Sequence, residues 1–371
     1  MNTHLRRCVA TAVALVVAGA AQAKKDPPSG LLAASVGDAV VMLEPANGRT
    51  FAIETGPVGW LYPAPAGILF APDVINGRTT VIDIRVPAVV ERIDGLTMPH
   101  FGINPDRYLA LTGDILQLSY PDRALLAKIP AEITDPWQAV VAPDGAAMII
   151  LERRPDGVGG ARISAFNLQS RQLVYRRTVG RDIVRIALSP KLGLLALADP
   201  DGRTVHLGEP GTLMPVAARS TAGRPLDVVF AKGGDVLATA LDVGAGAGAL
   251  ELAFFSASKD KGLSVRRTEI IPLGATPVRL DASPDDRHVA VALADGTVVI
   301  VDVARAEVVG SYPLPGAARD LRWCDPTREG PLAAEWSDGQ PEVPDFGPFI
   351  PKATDDVSSG LEEPVRKDPP R

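Results

Sequence analysis

The tightest constraint on the fold is a turn that recurs along the chain. Residues 283–302 read SPDDRHVAVALADGTVVIVD. Ser283, Pro284 and Asp285 are turn formers, because Pro fixes its own φ and short polar side chains bond the nearby backbone. Val289, Val291 and Leu293 then alternate with His288, Ala290 and Ala292, the period of a strand. Asp295-Gly296 signals a two-residue hairpin loop, and residues 298–303 are almost continuous Val and Ile, as in a buried strand. A lone hairpin is marginal in water, so this unit needs neighbours.

The neighbours are copies of it. NPDRYLALTGD, APDGAAMIILE and SPKLGLLALADPDG repeat the turn and strand, with weaker versions in PAGILFA, AKGGDVLATALD and CDPTREGPLAAEW. Their anchors are Pro65, Pro105, Pro143, Pro190, Lys232, Pro284 and Pro326. The mean spacing, about 43 residues, is that of a four-stranded propeller blade. Period-2, Val-rich runs exclude a helical solenoid. Four residues before the anchors stand Leu61, Phe101, Ala139, Ile186, Val228, Leu280 and Arg322. All but Arg322 are apolar, as an inner strand packed between blades requires.

Seven blades follow. Residues 31–54 supply three strands and lack an inner one; RDLRWC at 319–324 is an inner strand with no blade after it. Joining the two closes the ring and leaves only short, protected edges. PLAAEW at 331–336 either adds a strand or competes with 31–36, which keeps eight blades as the alternative. The expected fold is therefore all-β: one propeller over residues 31–336, with blades of four antiparallel strands.

The Pro-Asp-Gly-like turns, each followed by a strand, Asp-Gly and a run like VVIVD, resemble the YVTN-type and WD-like β-propeller repeats of bacterial periplasmic proteins. The resemblance covers roughly residues 31–336. It lacks both the Trp-Asp dipeptide and a literal Tyr-Val-Thr-Asn.

Residues 1–23 read as a cleavable signal peptide: Arg6-Arg7, an apolar run over residues 8–20, then Ala21-Gln22-Ala23. Cleavage after Ala23 places the protein in the periplasm or outside the cell. Arg6-Arg7 also opens a twin-arginine pattern, which the following residues do not continue. Residues 24–30 form a short leader, and residues 337–371 a Pro-rich acidic tail with the composition of a disordered segment. No other apolar run is long enough for a transmembrane helix. The formal charge of −6 argues against a nucleic-acid partner. Of the two cysteines, Cys8 leaves with the signal, and Cys324 reads as a small buried hydrophobe.

Familiar catalytic motifs are absent: no C-x-x-C-H, H-E-x-x-H, G-x-S-x-G or P-loop. The stretches GVGG at 157–160 and GAGAG at 244–248 read as hairpin loops, and DPDG at 199–202 as a plain turn. His206 and His288 read as packed or surface side chains.

One series remains. Five residues before each anchor stand Trp60, His100, Gln138, Arg185, Asp227, Arg279 and Leu321. In a propeller these strand starts surround one mouth of the central channel. Arg185 and Arg279 suit a carboxylate or phosphate, with Asp227 as counter-charge and Trp60 as a wall. The bland reading is a solvated rim bonded to water and loop backbone.

The leading expectation is a non-enzymatic exported propeller without a cofactor, binding a periplasmic protein or a small anionic ligand at one ring face. The resemblance implies two alternatives. One is a redox propeller, holding haem through an axial His100 or serving a quinoprotein dehydrogenase. The other is a lactonase-like hydrolase using Arg185, Arg279, His100 and Asp227.

Overall fold

Each apolar run forms a strand, and the strands assemble four at a time. The computed structural model describes residues 30–325, apart from 74, 95–97, 102–105, 121, 143–144, 154–159, 190 and 259–261. The signal-like segment, the tail, PLAAEW and the anchors Pro105, Pro143, Pro190 and Pro326 lie outside the described residues. Seven four-stranded antiparallel sheets make seven blades. Blade 1 combines residues 31–54 with Ala318–Cys324, and blades 2 to 7 span 62–94, 100–129, 136–179, 185–220, 224–273 and 277–313. Helical backbone among the described residues is limited to the 3-10 turns Pro65–Gly67 and Lys232–Gly234, both at repeat anchors. No helix there is long and apolar enough to cross a membrane.

The ring closes as expected. Ala318–Cys324 pairs antiparallel with Leu31–Val36, setting Leu31 opposite Cys324 and Ser35 opposite Asp320. Chain ends far apart in sequence thus share one sheet, which removes the open edge that blade 1 would otherwise present. Six apolar clusters fill the blade junctions. Leu280, Val289 and Val291, for example, pack on Ala238, Leu250 and Leu252. Between blades 2 and 3 the filling is aromatic: Phe70, Phe101, Tyr108 and Tyr120 meet at centroid distances of 5.4–6.4 Å.

Two local expectations are corrected. The strands His288–Leu293 and Thr297–Asp302 are joined by three residues, not two, with Gly296 at φ +85°. Asp295 bonds the Thr297 N–H, so Gly supplies the left-handed last position of a longer loop. The last repeat is also shifted by one residue. Arg319 bulges out between Ala318 and Asp320 as Val278 does between Pro277 and Arg279, so Asp320, not Leu321, is opposite Ser35 and equivalent to Arg279; the extra residue lies after Asp320, which stands six residues before Pro326. With that shift Leu321, fully buried, joins the apolar series, and Arg322 ceases to be its exception.

GAGAG behaves as expected, with Ala245 and Gly246 at positive φ between Val236–Gly244 and Ala247–Ser258. DPDG is a turn in which Asp199 accepts the Gly202 N–H at 2.8 Å. His288 is buried, and His206 bonds Asp199 at 3.1 Å.

Candidate functional site

Several inner strands reach the channel through the same local device. The registers slip between Pro136 and Gln138, between Pro225 and Asp227, and between Pro277 and Arg279. Pro lacks the N–H that a ladder needs, so it stands at the strand start, and the bulge after it re-aims the next side chain. Gln138, Asp227 and Arg279 are those side chains, and Asp320 follows the Arg319 bulge in the same way.

They converge. Trp60, His100, Gln138, Arg185, Asp227 and Arg279 all line one central cavity of about 320 Å³. Leu321 does not, and Asp320 takes its place. Trp137, Tyr62, Asp281 and Arg322 add to the polar and aromatic lining; none was among the mouth residues expected from the sequence. Tyr62, Asp281 and Arg322 each lie two residues beyond a mouth residue, the next inward-facing position of a strand. Trp137 is the bulged residue itself.

The Trp60 indole lies across the mouth. It comes from blade 2, yet meets Trp137 of blade 4 edge-on at 5.3 Å. The guanidiniums of Arg185 and Arg279, from blades 5 and 7, sit 5.2 and 5.1 Å from its centroid. Tyr62 and His100 pack edge-on at 5.3 Å.

Beneath the aromatic ring of residues runs a charge network. Asp227 accepts the Val228 N–H with Oδ1 and the Leu280 N–H of the next blade with Oδ2, both at 2.9 Å. Asp320 uses Oδ2 on the Leu61 N–H at 2.8 Å, and Asp281 uses Oδ2 on the Trp323 N–H at 2.6 Å. Gln138 both donates to the Ile186 carbonyl (2.8 Å) and accepts its N–H (2.9 Å). Channel residues therefore stitch blade to blade.

The arginines are held loosely by comparison. Arg185 donates Nη1 to the Val184 carbonyl at 2.7 Å, and Arg279 donates Nη1 to the Val278 carbonyl at 2.8 Å. Their Nε atoms stand 3.7 Å from Asp227 and 3.6 Å from Asp320, beyond hydrogen-bond range. Arg279 Nε and Asp320 Oδ1 are buried without a hydrogen bond among the described residues. Exposure to the channel differs: the Arg185 side chain is 5% exposed, Arg279 17% and Arg322 31%. Arg322 and Arg279 are thus the cations a ligand meets, and Arg185 supports them from within the wall.

Burial, with Arg279 and Arg322 adding to it against the pull of Asp227, lowers Arg185 to about 10. Burial and Arg322 hold His100 down at about 4, so its imidazole is neutral at ordinary pH. Burial raises Asp281 to about 7; Arg322 and the Trp323 N–H oppose the rise, and Asp320 and Asp227 add to it. Burial disfavours the charge on Arg322, but Asp320, Asp281 and Asp227 outweigh it and strengthen its hold on the proton. Among the described residues no group of three or more His, Cys, Asp or Glu is placed to hold a metal. Arranged this way, the cavity can grip an anion with guanidinium N–H groups and hold an apolar body against Trp60, Trp137 and Tyr62.

The architecture is that of a seven-bladed β-propeller, and solved structures share it. A chain of hydrazine synthase from Kuenenia stuttgartiensis matches with a TM-score of 0.56 at 14% identity, over 74% of this chain and 90% of that one. A functionally unknown protein from Desulfotomaculum acetoxidans DSM 771 matches at 0.61 and 12% identity, over 80% and 100%. A chain of the mitotic checkpoint complex matches at 0.55 and 13%, over 76% and 84%. Identities this low establish the fold alone. No known family matches the chain, and no curated protein matches its sequence.

Proposed function

We propose that this protein is an exported binding propeller whose central channel holds a small organic anion at the mouth where the inner strands begin. The observation that carries this reading is the incompletely bonded Arg279 guanidinium, which lies against Trp60 and lines one cavity with the more exposed Arg322, while Arg185 backs it from a separate blade. Desolvated arginines with spare N–H groups bind carboxylate or phosphate strongly, because the competing water is already excluded. The cavity volume lies at the small-ligand end of the usual range, about 300–1,000 Å³. Export is supported by the basic start, apolar run and Ala-Gln-Ala of residues 1–23, and by the repeat resemblance.

Calorimetric titration with benzoate, citrate and inorganic phosphate tests the reading. At least one should bind wild type, and Arg279→Gln should weaken it about tenfold or more, a loss of one charge-assisted pair. Binding by none of the three, or equal binding by the variant, would overturn it.

A hydrolytic use of the same channel is the second reading. Asp281, a channel carboxyl poised near 7, has the proton affinity of a general base at neutral pH. Turnover of a lactone or ester by wild type, lost in Asp281→Asn, would favour it.

A further inference from the structure

Among the described residues, three arginines and three carboxylates line the channel: Arg185, Arg279 and Arg322 with Asp227, Asp281 and Asp320. Fully charged, the six are neutral as a set and offer an anion little net attraction. One proton on a carboxylate leaves a single positive charge.

The geometry selects which carboxylate can take that proton. Asp227 has a backbone N–H on each oxygen; Asp320 accepts Leu61 N–H and Arg322 Nε (3.3 Å) on Oδ2, and its Oδ1 is sealed in the wall 3.6 Å from Arg279 Nε, away from the cavity. Asp281 has one backbone N–H on Oδ2, while its Oδ1 is 3.9 Å from Arg322 Nη1, too far for a hydrogen bond. Asp281 is also the carboxylate open to the cavity: its side chain is 19% exposed, against 7% for Asp227 and 1% for Asp320. A proton placed there costs no backbone contact and frees Arg322 from a poorly aligned partner.

The groups around Asp281 set the direction of coupling. Arg322, Asp320 and Cys324 approach from the inner strand of blade 1, and Asp227 from blade 6. Arg279 lies two residues back on its own strand, and Arg185, Tyr62 and His100 line the same cavity from blades 5, 2 and 3. Neutral His100 contributes no charge above about 4. An anion beside Arg279 and Arg322 adds a further negative charge near Oδ1, which favours the protonated carboxyl.

We propose that the channel binds a monovalent carboxylate together with one proton from solvent, and that Asp281 is the group that receives it. This rests on the anion-site reading above. The consequence is a ligand held when the surroundings are acidic and released as they become alkaline. That the Asp281 carboxyl, pushed up by burial, titrates near 7 sets the range in which this happens.

Benzoate is the probe, titrated calorimetrically into wild type and Asp281→Asn. Wild-type affinity should fall about tenfold or more from about pH 5.5 to about pH 8.5. In two buffers of different ionisation enthalpy at about pH 7.5, where the free carboxyl is already partly protonated, binding should take up about 0.5–0.75 proton per site. Asp281→Asn, a permanently uncharged analogue, should bind with little pH dependence. The buffer comparison needs no variant and stands if Asp281→Asn fails to fold. Failure of benzoate to bind wild type even at the acid end would sink the carboxylate-site reading, and this inference with it. Binding that is equally tight at both ends, or a pH dependence that survives in Asp281→Asn, would overturn this inference alone.

Discussion

Asp320 accepts the backbone N–H of Leu61 at 2.8 Å, across 259 residues of chain. The bond ties the last inner strand to the strand start of blade 2, and the same carboxylate faces Arg279 and Arg322. One buried side chain therefore serves ring closure and the channel at once. Asp320→Ala should destabilise the protein by about 3–5 kcal/mol, the cost of leaving buried cations and an N–H without their partner. Asp320→Asn, which keeps an acceptor, should cost less. Urea unfolding of the two variants against wild type checks the order.

Closure also predicts a sharp asymmetry between truncations. A chain ending at Gly316 loses Ala318–Cys324 and leaves Leu31–Val36 as an unpaired apolar edge. Size-exclusion chromatography should show it aggregated. Deleting residues 340–371 should leave the melting temperature within about 2 °C of wild type, since that segment has too few apolar residues to contribute much burial.

Gln138 bridges blades 4 and 5 through both polar atoms of its amide. Gln138→Ala should cost about 1–3 kcal/mol, because Ile186 keeps a backbone N–H and carbonyl without partners in a half-buried place. Gln138→Glu retains the acceptor only and should fall between. Chemical denaturation measures both.

The pH dependence of stability should come from two opposed groups. His100 is depressed to about 4 from 6.5, so its contribution is present above 6.5 and lost as pH falls through 4. Asp281 is raised to about 7 from 3.8, so its contribution is full below 3.8 and lost as pH rises through 7. Between about 4 and 6.5 the two slopes oppose one another. Asp281→Asn should unmask a loss of stability on acidification in that window. His100→Gln should unmask a loss on going alkaline. Urea midpoints at a series of pH values reveal either slope.

Much of this was legible in the sequence because it depends on local chemistry. Turn residues and period-2 alternation fix the strands, and the inner strand at 319–324 meets the three strands of 31–54 that lack one. Trp60, His100, Gln138, Arg185, Asp227 and Arg279 reach one cavity because equivalent repeat positions become equivalent places in a ring. What was not legible depends on spacing and register. Asp320 stands six residues before Pro326, one more than Arg279 before Pro284, so counting back from the anchor reached Leu321 and made Arg322 look like a misfit in an apolar series. The Pro two residues before Gln138, Asp227 and Arg279 marks the bulge that aims those side chains, but blade 1 has Ala318 at that place and lacks the signal. Asp281 was missed for another reason: it occupies the next inward register, where other blades place Ala187 and Val229, so no repeat pattern singles it out; Arg322, its equivalent in blade 1, showed only as a break in the apolar series.

Cys324 is fully buried beside Asp281 and Arg322, and burial drives its thiol well above the ordinary range. It should not react with Ellman's reagent in the folded protein and should react fully in denaturant. Fast reaction of the native protein would mean that the inner strand of blade 1 opens readily.

The central claim is that an organic anion sits in the channel on the arginines beside Trp60. Crystals soaked with 4-bromobenzoate test it most directly, through the anomalous signal of bromine. The account predicts one strong peak inside the channel, with the carboxylate within hydrogen-bond distance of Arg279 or Arg322 and the ring against Trp60, Trp137 or Tyr62. Bromine found only on the outer surface, with the channel empty at saturating probe, would contradict it.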